Sequence, residues 1–260
     1  MSDTVIMIHG ANAGGWCFEN FKGLFEEKGF KCLTPTLRLH DVSPSNPPPP
    51  GIARTSLLDY ASDMEALIRG LDAPPIVIGH SMGGLIAQIL AARGLLKAAV
   101  LIAPAWPSGI INRELALIFA LIQLIKRYGF WKKPFKPTFR EAVDSALYHF
   151  SQDEQARIYN KFVNESGRVF FEIGMPFLDK KKAATVDEKK VTCPVLVIGA
   201  ANDKITPPAI VKKIAEKYKH VSTYKEFSGH DHWIVIEDDR HEVAAYILDW
   251  LGGGAAAGVK

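Results

Sequence analysis

With 260 residues, about half of them apolar, the chain is long enough to bury a substantial core as one globular unit. Its 31 basic and 28 acidic residues nearly cancel, and the lysine clusters at 180–182, 189–190 and 212–213 are interleaved with acids as solvated faces. That balance offers no footing for nucleic acid. Three cysteines show no metal-ligand spacing and leave an odd count for pairing, which suits a reduced, cytoplasmic protein. Residues 1–4 lead into an apolar run with no basic leader, and the longest apolar stretch, "LALIFALIQLI" at 115–125, falls short of the ~20 residues a membrane span needs.

Taken in chain order, "TVIMI" at 4–8 reads as a strand buried on both faces. Phe18, Phe21, Leu24 and Phe25 then fall at helical spacing, with Gly29 suited to the helix end. "KCLTPTL" returns as a strand, and the four prolines of "SNPPPPG" exclude helix and sheet interior alike, leaving a stiff surface loop. Ser56 and Asp59 resemble a capping box that opens a helix carried by Leu57, Tyr60, Ala61, Met64, Leu67 and Ile68. "PPIVIGHSMGGLIAQILAARG" reads as strand, tight turn and helix, and "KAAVLIAPA" as a further strand. This alternation predicts a parallel sheet with right-handed crossovers. It breaks at Pro104. From there to about residue 190 the pattern is helical, with faces over 115–128, 139–148 and 154–163. "VTCPVLVIGA" and "VSTYKEF" resume the strands, a helix over 239–251 closes the fold, and "GGGAAAGVK" reads as a loose tail. The expected division is an α/β core over 1–103 and 191–251, a helical cap over 104–190, and a tail over 252–260.

"GHSMGG" places Ser81 in a Gly-x-Ser-x-Gly setting between an apolar strand and an apolar-periodic helix. The glycines let the backbone turn where side chains would collide. The helix that follows aims its N-terminal amides at charge developing on the serine oxygen. With "HGANAGGW" and "SGHDHW", the motif set resembles the α/β-hydrolase fold superfamily over nearly the whole chain. It looks like bacterial carboxylesterases and monoglyceride or lysophospholipid lipases, and its opening also looks like plant methylesterases and hydroxynitrile lyases. Since only three residues precede the first strand, the family's two leading antiparallel strands have no counterpart, and about six parallel strands are expected.

The resemblance implies a Ser-Asp-His triad in that chain order. It places the acid just past a strand beyond the insertion, where "VLVIGAANDKITPP" supplies Asp203. Both His230 and His232 lie past the last strand, within reach of Ser81. In such hydrolases the catalytic histidine commonly precedes a glutamate by five residues, so Glu237 selects His232. His230 then either braces the loop or has no role. The oxyanion amides are expected at Met82, the residue after the nucleophile, and at Ala11, by resemblance. His9 is expected to shape that loop rather than to act as a base.

The resemblance implies a cofactor-free, metal-free serine esterase. Its substrate would be a small ester with an apolar acyl group, under a cap whose aromatic residues Trp106, Phe119, Phe130, Trp131 and Phe135 suggest a greasy roof or pack the cap onto the core. "KRYGFWKK" at 126–133 suggests transient contact with a lipid surface. A thioesterase or lactonase with the same triad, a hydroxynitrile-lyase-like enzyme and a non-catalytic binding protein of this fold remain open. Oligomeric state has no signature in the sequence.

Overall fold

The computed structural model describes residues 3–110 and 129–253. In chain order come β1 (Thr4–Ile8), α1 (Glu19–Glu26), β2 (Lys31–Leu33), α2 (Leu57–Arg69), β3 (Ile76–His80), α3 (Met82–Ala92) and β4 (Ala98–Ile102). After the gap come β5 (Pro134–Phe135), α4 (Phe139–Ala142), α5 (Gln152–Tyr159), β6 (Glu165–Ser166) and α6 (Gly167–Gly174). The chain then resumes with β7 (Val195–Ala200), α7 (Pro208–Lys217), β8 (Ser222–Phe227) and α8 (Arg240–Gly252).

Six strands form one sheet in the order β2-β1-β3-β4-β7-β8, and every neighbouring pair is parallel. Period-2 alternation divides the core between its faces. Ile6, Ile8, Val77, Leu101 and Val197 pack with α2, α3 and α7 on one side. Met7, Ile78, Val100, Ile102 and Ile198 pack with α1 and α8 on the other. The chain leaves β1 toward one edge and β3 toward the opposite one, so a crevice opens past their carboxyl ends. Register aligns Ile8 with Gly79 and Ala200 with Phe227. The loops that follow β1, β3, β7 and β8 therefore meet along one edge.

Local chemistry explains most boundaries. The Ser56 amide donates to Asp59 at 2.9 Å, completing the α2 capping box. The strand expected across "KCLTPTL" stops at Leu33, because two residues on, Pro35 has no N–H for the ladder. The closing helix runs to Gly252, one residue past the expected core boundary.

The segment between β4 and β7 departs further. The helix expected over 139–148 is α4 continued by a π-helical turn, Val143–Leu147. The one expected over 154–163 starts earlier, at a Ser151–Glu154 capping box, and ends at Tyr159. The residues beyond it serve another purpose, since Val163 N–H donates to Asn12 C=O at 3.0 Å. The antiparallel pair β5–β6 and the helix α6 had no recognised sequence signal. The helix expected over 115–128, including Phe119, and the tail at 254–260 lie outside the described residues. Phe130 is buried, Trp131 packs on Phe130 and Phe171, and Phe135 packs on Phe170.

Buried polar bonds attach this segment to the core. Asn12 donates from Nδ2 to the carbonyls of Phe135 and Val163 at 2.8 and 2.9 Å. Glu165 is fully buried, accepts from Tyr60 Oη at 2.6 Å and faces His40 Nε2 at 3.0 Å. Glu172, also fully buried, accepts from Ser56 Oγ and the Leu57 amide at the start of α2, and from Arg168. A carboxylate at a helix N-terminus meets unpaired amides and the positive end of the dipole. Among the described residues, no helix is long and apolar enough to cross a membrane.

Candidate active site

The turn between β3 and α3 forces Ser81 into a backbone conformation L-residues rarely adopt, φ 52° and ψ −120°. Its glycines are sterically required. A Cβ at Gly79 would sit 2.3 Å from the Gly83 carbonyl oxygen, and one at Gly83 would sit 2.1 Å from that of Ile8. The strained turn thus pushes the serine hydroxyl out at the edge where the loops converge.

Three of the expected side chains meet there. His232 Nε2 lies 3.0 Å from Ser81 Oγ, and His232 Nδ1 lies 2.8 Å from Asp203 Oδ2. Asp203 follows β7, is 4% exposed, and accepts the amides of Ile205 and Thr206 on Oδ1 at 2.7 and 2.8 Å. Thr206 Oγ1 lies 2.7 Å from Asp203 Oδ2 and 3.0 Å from the Ala103 carbonyl, so its one proton serves either acceptor. Burial alone would raise the Asp203 carboxyl; the facing His232 and the Thr206 hydrogen bonds outweigh it and hold the group below its usual range. An ionised Asp203 fixes the proton of the neutral imidazole on Nδ1 and leaves Nε2 free to accept from Ser81.

The two histidines of "GHDHW" separate by partner. His230 turns away from Ser81 and places Nδ1 2.5 Å from Glu237 Oε2. It is buried, and it braces the loop. Glu237, whose spacing singled out His232, therefore bonds to His230 instead. Its other oxygen accepts the Asp231 amide at 2.9 Å. His230, Glu237 and Asp239 bring possible ligand atoms within 4.8 Å of one another. At 2.5 Å, however, His230 and Glu237 are bonded to each other and closer than two ligands of one metal ion sit.

Beside Ser81 on the β1 side, His9 Nε2 accepts the Leu37 amide at 3.0 Å, so its proton sits on Nδ1 and goes to the Gly10 carbonyl at 2.8 Å. His9 is fully buried, and burial followed by the neighbouring His40 pushes its pKa down to about 3. It is a neutral brace for the loop that carries Ala11. No hydrogen bond among the described residues takes up the amide of Ala11 or of Met82, and Met82 opens α3, where amides lack helical partners.

Two contributors went unrecognised in the sequence. His80 donates from Nε2 to the His232 carbonyl at 2.7 Å, with the ring centroids 4.9 Å apart. Burial first, then His232, drives its pKa down to about 3, so it too stays neutral. Its place directly before Ser81 was the available signal. Thr206 is the second, at the third position after Asp203.

The alpha/beta hydrolase family model matches residues 5–246. The chain belongs to the alpha/beta hydrolase family. Solved structures similar to this hydrolase-family chain include a monoacylglycerol lipase from Paleococcus ferrophilus, at 22% identity and TM-score 0.71, covering 95% of this chain and 93% of that one. A methylesterase from Arabidopsis gives 16% and 0.69, covering 96% and 99%. Tomato methylketone synthase I gives 16% and 0.71, covering 97% and 99%. At such identities the likeness is one of fold. No curated protein matches the chain. Within this alpha/beta hydrolase, the Ser81 hydroxyl, the His232 ring and the Asp203 carboxylate form one continuous hydrogen-bonded relay.

Proposed function

We propose that the protein is a serine hydrolase that cleaves carboxylic esters through an acyl-enzyme. Family membership supports a hydrolase, and the observation that carries the reading is the Ser81–His232–Asp203 relay, at 3.0 and 2.8 Å, on a strained strand-to-helix turn. Ser81 Oγ attacks the acyl carbonyl carbon as His232 Nε2 takes its proton, and the oxyanion accepts from the Ala11 and Met82 amides. His232 then returns the proton to the leaving alkoxide as the ester C–O bond breaks. Water, activated by the same imidazole, cleaves the acyl-enzyme and restores Ser81. Asp203 steadies the imidazolium in both halves. No metal or cofactor takes part in this scheme. The methylesterase and the monoacylglycerol lipase among the similar structures are named for ester substrates, which favours esters over thioesters or lactones. In this reading residues 104–190 form the cap over the substrate, held to the core by Asn12, Glu165 and Glu172.

The test is turnover of p-nitrophenyl esters from acetate to palmitate by the parent chain and by Ser81→Ala. The variant is expected to lose on the order of 10³-fold or more in kcat/KM while keeping its melting temperature within a few degrees. Equal turnover by both chains would refute the mechanism. The chain length of fastest turnover reports the depth of the acyl pocket.

A further inference from the structure

Around His232, several backbone and side-chain polar groups are tied down by a second set of residues that the relay does not use. The His230 carbonyl accepts the Asn202 amide at 2.9 Å, joining this turn to the loop that carries Asp203. His230 Nδ1 and the Asp231 amide both go to Glu237, at 2.5 and 2.9 Å. The Trp233 amide goes to Asp231 Oδ1 at 2.8 Å, and the His232 carbonyl accepts from His80 at 2.7 Å. Residues 230–233 are therefore clamped on both sides of the histidine. The His232 ring alone is left to face Ser81 and Asp203.

The clamp contains two carboxyl groups in contact, and an electrostatic problem follows. Asp231 is fully buried, and its Oδ2 has no hydrogen-bond partner as an ionised oxygen. Two adjacent buried carboxylates cannot both be charged without a large penalty. One proton resolves both difficulties. Carried on Asp231 and donated to Glu237, it gives the buried acid a partner and leaves one negative charge opposite His230. Burial, and then the hydrogen bond and charge of Glu237, push the Asp231 carboxyl up to about 9. Glu237 moves the other way: burial would raise it, but the hydrogen bonds from His230 and Asp231 outweigh that and hold it low. His230 is raised despite its burial by the Glu237 carboxylate, with Asp239 and Glu242 adding from the solvent side. At neutral pH the clamp thus sets a carboxylate and a neutral acid against a histidine whose hold on a proton is raised. Asp203 remains the one uncompensated carboxylate facing the His232 ring.

We propose that Glu237 is the positioning residue for His232, and that it works together with Asp231 as a hydrogen-bond-donating carboxylic acid. The proposal rests on the serine-hydrolase reading above. Glu237→Gln turns one acceptor oxygen into an N–H that opposes either His230 or the Asp231 amide, and the turn loosens. Asp231→Asn supplies the N–H that the protonated acid would supply, whereas Asp231→Ala supplies nothing.

The experiment measures ester kcat and KM, and the rate at which a fluorophosphonate probe phosphonylates Ser81, for Glu237→Gln, Asp231→Asn and Asp231→Ala. Misplacing a catalytic base slows chemistry far more than binding, so Glu237→Gln and Asp231→Ala should lose on the order of ten- to a hundredfold in kcat and labelling rate, with KM within about twofold. Asp231→Asn should stay within about threefold of the parent. A parent-like labelling rate in Glu237→Gln, or an Asp231→Asn as slow as Asp231→Ala, would overturn the proposal. The Asp231 pair decides it even if Glu237→Gln does not fold. Labelling of Ser81→Ala at the parent rate would instead bring down the hydrolase reading on which the proposal stands.

Discussion

Four buried histidines lie in the turn that carries Ser81 and the loops beside it, and they form two pairs with opposite surroundings. In the first pair, His9 and His80 bond to backbone groups, and burial holds both neutral, at about 3. In the second pair, His230 and His232 each face a carboxylate, Glu237 and Asp203. A buried imidazole without a counter-charge is a fixed spacer whose tautomer is set by the carbonyl it serves. With a carboxylate opposite, it can take on a positive charge inside the protein. The difference lies in the counter-charge: the first pair only holds backbone in place, whereas each ring of the second pair has a carboxylate opposite it.

The sharpest way to break this contrast is to remove the charge opposite His232. Asp203→Asn leaves the shape intact but lets the imidazole adopt the wrong tautomer, and a loss on the order of 10³–10⁴ in kcat is expected. Ester turnover within tenfold of the parent would show that the carboxylate does not govern the base. In the neutral pair, His9→Phe keeps the ring volume and loses only the bonds to Gly10 and Leu37. Because two buried backbone groups lose partners, a destabilisation of about 1–3 kcal/mol in urea melts is expected. Since His9 is neutral over the working range, the pH dependence of kcat/KM should keep its shape; a shifted profile would mean that His9 titrates and the contrast fails.

The smallest effect concerns Asp231 and has a definite sign. Its folded-state pKa, about 9, lies above that of an ordinary aspartate in the unfolded chain. Between those values the folded protein holds a proton that the unfolded chain has released, so this group's contribution to stability falls as pH rises through the window. Asp231→Asn does not titrate. Its melting temperature relative to the parent should therefore climb steadily from pH 5 to about pH 9. A difference independent of pH would mean that Asp231 is ionised in the folded protein.

What could be read from the sequence depended on how far apart the interacting residues are. "GHSMGG" is local: the strand, the turn and the helix that strain Ser81 are contiguous, and the glycines announce the close approaches. The parallel strands were legible for the same reason, since a strand buried on both faces is a continuous apolar run. Asn12, by contrast, bonds to residues 123 and 151 positions away, and Glu165 to Tyr60 across 105. Nothing near Glu165 or Glu172 in the chain distinguishes them from the exposed glutamates elsewhere, because their partners arrive only with the tertiary fold. His232 was selected through its spacing from Glu237, yet the structure gives that glutamate to His230. The spacing reflects the geometry of a turn, which a sequence pattern preserves without revealing its bonds.

By itself the sequence determined the sheet's composition, the strained strand-to-helix turn at Ser81 and the short set of polar residues able to reach it, because periodicity and backbone sterics act over a few residues. Only the tertiary structure decided which polar partner each buried group receives, and with it which histidines stay neutral, which face a charge and where a proton is shared. Those outcomes depend on desolvation and on distances of about 3 Å between groups far apart along the chain, and such distances exist only once the fold has closed.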